Sequence, residues 1–171
     1  PMDPMELDLM KILVEHPGLF PRAERANLPR LLTSDALRAT YAAAATMQAE
    51  TGRVEISSLL ASADPSVRDA VARAGSSEAF ANGDPNRALD EWIFTALGRR
   101  LGALRKRLTI RIAQAARTGA GDQTQALTQT LRVTQELTQR FDRARRSRQL
   151  DDAWGIVPEL IQVEQDIHDT Q

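Results

Sequence analysis

The chain contains no cysteine, which excludes disulfide frameworks and thiolate metal sites and fits a reducing, cytoplasmic setting. Histidine is nearly absent. His16 and His168 lie at opposite ends of the sequence, so they form no local ligand pair, and His16 beside Pro17 reads as a helix-end residue. Aromatics make up only 4% of residues. No run approaches the ~20 apolar residues that a membrane-spanning helix requires, and β-branched residues nowhere alternate at period two. No glycine-rich phosphate loop precedes a helix, and no nucleophile–base pair suggests itself. Asp151, Asp152, Asp166 and Asp169 match no compact oxygen cage and read as a solvated acidic tail. The sequence therefore predicts no catalytic centre, no cofactor, no small-molecule substrate and no membrane insertion. The chain opens on Pro1 with no signal-peptide pattern behind it, so a fragment of a longer protein is expected.

Charge of one sign is missing over long stretches. No acidic residue occurs from Trp92 through Gly121, and no lysine or arginine from 149 to 171. Residues 92–148 carry a net charge of +10, residues 1–91 carry −5, and residues 149–171 carry −6. The whole chain has a net charge of only −1. Such polarity bears on partners rather than on fold.

What the sequence does contain is helix. From Asn86 to Arg148 it reads as two long arms folded back on each other. Leu89, Ile93, Leu97, Leu101, Leu104, Leu108, Ile112 and Ala115 recur at steps of three or four on the first arm. Leu127, Leu131, Thr134, Leu137, Phe141 and Ala144 do so on the second. Those steps place each set on one narrow stripe. Gly119 and Gly121 supply the turn, and Asp122 is expected to cap the second arm. Gly98 and Gly102 interrupt the first arm at about 1 kcal/mol each relative to Ala. Either they form a bendable joint or a neighbour packs closely against them.

Before the arms lie shorter helices. Asp3-Pro4, Asp64-Pro65 and Asp84-Pro85 repeat one start signal, an N-cap aspartate followed by proline at the first helical position. His16-Pro17-Gly18 ends the first helix, and Leu19-Phe20-Pro21 reads as a buried loop entry. Ser34 starts a helix that stops at Gly52, and Ser57 is expected to cap a short one. Ser76 to Gly83 reads as a connecting loop. Leu150, Ala153, Trp154, Val157, Leu160, Ile161 and Ile167 predict one or two tail helices, with a break at Gly155 or Pro158, that either fold back on the hairpin or hold a partner. The fold class expected is all-α, with a helical bundle over 1–97, a helical hairpin over 98–148 and an acidic tail over 149–171.

Glu6-Leu7-Asp8-Leu9-Met10-Lys11-Ile12-Leu13-Val14-Glu15-His16-Pro17-Gly18-Leu19 resembles the "LL-x-LL-x-x-HPEL" opening of the C-terminal domain of bacterial DNA primases. Ser34-Asp35-Ala36-Leu37-Arg38 resembles the "SPELR" helix start that follows in that family. The stretch from Ala96-Leu97-Gly98-Arg99-Arg100-Leu101 to the turn at Gly119 and Gly121 is similar to its hairpin. The likeness covers roughly residues 5–148. The thr-rich second arm and the acidic tail depart from the family pattern. The resemblance implies a non-catalytic bundle-plus-hairpin domain that docks on the N-terminal domain of the replicative DNA helicase. Partner contact is then expected at Ile110, Arg111, Arg132, Arg140 and Arg143. Two alternatives stay open: the N-terminal domain of the helicase itself, which has a similar fold, and a DNA-binding helical module that uses the basic hairpin for nucleic-acid contact.

Overall fold

The computed structural model describes residues 2–74 and 83–169. Among these the chain is helical with no strand: α1 (Pro4–Glu15), α2 (Phe20–Arg25), α3 (Asp35–Thr51), α4 (Ile56–Ser62), α5 (Pro65–Ala74), α6 (Pro85–Arg117), α7 (Gly121–Ser147), α8 (Leu150–Trp154) and α9 (Ile156–Asp169). The expected loop from Ser76 falls, apart from Gly83, outside the described residues. Two compact units result, Pro1–Ile93 and Phe94–Gln171. The division falls four residues before the expected one at 97, and the tail belongs to the second unit because its apolar residues are buried in it.

The three Asp-Pro starts work alike. Asp3, Asp64 and Asp84 each accept the backbone N–H two residues on, from Met5, Ser66 and Asn86, at 2.9, 2.8 and 3.0 Å. Each aspartate satisfies one orphan donor, and each proline occupies a position whose missing N–H costs nothing. Ser34 Oγ accepts from Leu37 N at 3.2 Å, and Gly52 closes α3 at a φ of 73°. His16 terminates α1 by donating its N–H to the Ile12 carbonyl.

The first unit buries Leu9, Ile12 and Leu13 of α1 against Phe20, Leu28, Leu32, Leu37 and Tyr41, with Leu89 and Ile93 from the start of α6. Glu6 is buried because it holds the chain before α3, accepting from both the N–H and the hydroxyl of Thr33. Trp92 Nε1 donates to the Met5 carbonyl at 2.8 Å, and Arg22 clamps Asp90 through two bonds of 2.7 Å.

Three local expectations are corrected. Leu19-Phe20-Pro21 is not loop: a 3-10 turn over Pro17–Leu19 runs into α2, with Pro21 tolerated in its first turn. Helix α4 starts at Ile56 behind Glu55, so Ser57 is not its cap and instead donates its hydroxyl to the Glu55 carboxylate. Asp122 does not cap α7 either. The helix begins at Gly121 with Ala120 before it, and Asp122 falls in the first turn, where it complements the helix dipole only.

Candidate partner-binding surface

In the second unit the sequence stripes become the interior. Leu97, Leu101, Leu104, Leu108 and Ala115 are buried on α6, as are Leu127, Thr134, Leu137, Phe141 and Ala144 on α7; Ile112 and Leu131 are half-buried. The chain reverses at Thr118–Ala120, with Gly119 at a φ of 71°. Phe94 and Phe141 meet with ring centroids 6.1 Å apart. Both helices contact α8 or α9 in turn. Ala153, Ile156, Val157 and Leu160 are all fully buried. The chain breaks at Gly155, while Pro158 sits in the first turn of α9. The tail therefore packs on α7, with Arg100 and Arg111 of α6 bonded to α9.

That docking sorts the cations. Arg100 pairs with Glu164 at 2.7 and 3.1 Å, Arg140 pairs with Glu159, and Arg111 donates to the Ile167 carbonyl at 2.9 Å. The last bond places a guanidinium on a carbonyl in the last turn of α9, where a cation complements the helix dipole. Of the five residues expected to touch a partner, Arg111 and Arg140 thus serve the fold. Ile110, Arg132 and Arg143 remain exposed, Ile110 at 49%. Lys106 and Arg107, one turn before Ile110, are exposed too, as are Arg105, Arg117 and Arg145. Arg132 and Arg143, eleven residues apart, project from one face of α7, opposite its buried stripe.

The two glycines of the expected joint differ. Helix α6 runs through both without a break. A Cβ on Gly98 would lie 3.2 Å from Phe141 Cζ, so close packing explains it. A Cβ on Gly102 would meet nothing within 4 Å. Gly102 instead faces a groove of about 390 Å³ between α6 and α7, lined by Phe94, Leu101, Arg105, Phe141, Asp142 and Arg145 among others. Sequence reasoning singled out the glycine but missed the groove, because its walls come from residues about forty positions apart.

No group of three or more possible metal ligands occurs among the described residues. Asp151 and Asp152 are exposed in the first turn of α8, and Asp166 accepts from Gln162 on its own helix. Burial, with the Glu24 carboxylate adding to it, pushes the Tyr41 phenol above its ordinary range, and it sits against Phe20 in the first core. Among the described residues no helix is long and apolar enough to cross a membrane.

No protein-family model, no curated protein and no solved structure matches this chain.

Proposed function

We propose that the chain is a non-catalytic docking domain, and that the exposed basic faces of α6 and α7 form its partner surface. One observation carries this reading: a large aliphatic side chain, Ile110, stays exposed among Lys106, Arg107 and Arg117, while cations nearer the tail are consumed by the fold. Arginine supports tight contacts because its planar fork pairs with carboxylates, and an apolar anchor beside it adds desolvated area. The order of motifs from Glu6-Leu7 to the arms suggests the partner's identity: the N-terminal domain of a bacterial replicative helicase, with this chain as the docking domain of its primase. Charge reversal tests it. Arg132→Glu with Arg143→Glu in the intact chain should weaken helicase binding without changing circular dichroism. Arg140, tied to Glu159, would instead report on folding.

A second reading has its own support, since the exposed cations Arg105, Lys106, Arg107 and Arg117 of α6 lie in a stretch free of acidic residues. Such a face attracts phosphates through counterion release. Titration with duplex and single-stranded DNA at two salt concentrations separates the two readings, because phosphate-driven binding collapses as salt rises.

A further inference from the structure

Gly102 poses a problem that the fold does not solve. It lies inside a long helix, exposed, with open space where a Cβ would go, and glycine there weakens the helix relative to alanine. Gly98 has its reason in the Phe141 ring; Gly102 has none within the molecule. Its missing side chain leaves open space beside the α6–α7 groove that it lines.

The groove has a defined chemistry. Phe94, half-buried, and Phe141, 4% exposed, form an apolar end. Arg105 on α6 and Asp142 and Arg145 on α7 also line it, all three exposed. We propose that this groove is a docking site for an acidic segment of a partner protein that seats one apolar side chain over Gly102 and pairs its carboxylates with Arg105 and Arg145. Charge complementarity selects an acidic occupant. The aromatic geometry selects a peptide over a nucleic-acid strand: the two rings are tilted at 59° to one another and Phe141 is almost wholly covered. A ring so covered gives a base no open face to stack on, whereas one aliphatic side chain needs only a small apolar contact. Asp142 can accept a peptide N–H, a donor that a phosphodiester backbone lacks. The site does not depend on the identity of the partner proposed above.

The probe is a short fluorescein-labelled peptide, Glu-Asp-Leu-Phe-Glu-Asp, titrated onto the full chain at low salt and followed by anisotropy. Saturable binding is expected. Gly102→Leu, whose Cβ meets nothing within 4 Å and whose side chain occupies the space over Gly102, should abolish it while melting no lower than the unsubstituted chain. Arg105→Glu with Arg145→Glu should weaken it by about tenfold or more, as loss of that pairing predicts. Amide shifts on adding peptide should centre on Gly102, Thr138 and Phe141, a readout that needs no variant. The proposal is overturned if the peptide fails to bind, if Gly102→Leu binds it equally well, or if oligothymidylate binds the groove in its place.

Discussion

Threonine is a weak helix former, yet α7 carries five. Each solves the problem identically: Thr124, Thr128, Thr130, Thr134 and Thr138 donate their hydroxyls to the carbonyl four residues back, at 2.8–3.1 Å. That local bond satisfies the hydroxyl and lets Thr134 be fully buried on the stripe. The position was legible from spacing; the bond that makes it tolerable was not. The glycines separate just as clearly. Gly102→Ala should raise stability by about 1 kcal/mol, since nothing opposes the gain in helix propensity. Gly98→Ala should melt lower than Gly102→Ala, because the Phe141 ring must give way. Equal gains in thermal melts would remove Gly98 from the list of packing positions. Asp64 makes a pH prediction. Bonds from the Ser66 hydroxyl and N–H hold its carboxyl below the ordinary carboxylate value. The folded state then binds its proton less readily than the unfolded chain does. The contribution of this cap is fully present above the ordinary value and is lost as pH falls through the lowered one. An NMR titration should place the Asp64 midpoint below that of the unfolded chain; a midpoint at or above it would contradict the cap.

At the level of elements, apolar spacing revealed both long helices, because a stripe at steps of three and four has one helical meaning. Helix α2 was missed because Phe20-Pro21 looks like a loop, although proline in a first turn is also a helix start. The tail helices were visible, but not the choice between self-docking and a partner, since that choice depends on surfaces distant in sequence. Burial decides it more than charge does. The Arg100–Glu164 side chains are each 26% exposed, and pairs of that kind contribute about 0–1 kcal/mol. Leu160 is fully buried, and truncating such a residue costs about 2–5 kcal/mol. In urea denaturation Leu160→Ala should therefore lower the transition midpoint far more than Glu164→Gln. The reverse order would mean that ion pairs rather than packing hold α9 in place.

The whole molecule is electrically polarised in its sequence, and the second unit contains both extremes, the cationic arms and the anionic tail. Internal neutralisation is partial. The tail takes up Arg100, Arg111 and Arg140, and the faces bearing Ile110, Arg132 and Arg143 are left to solvent. Which cations the fold claims depends on contacts between residues distant in sequence, and spacing along one helix does not show them. The central claim is that these faces dock the chain on a replicative helicase. Calorimetric titration of the intact chain with a purified helicase N-terminal domain tests it most directly. Saturable binding is expected, weakened by about tenfold or more when Arg132 and Arg143 are both changed to Glu, with an unchanged circular dichroism spectrum. No heat of binding from the intact chain, or equal affinity in the charge-reversed variant, would contradict the account.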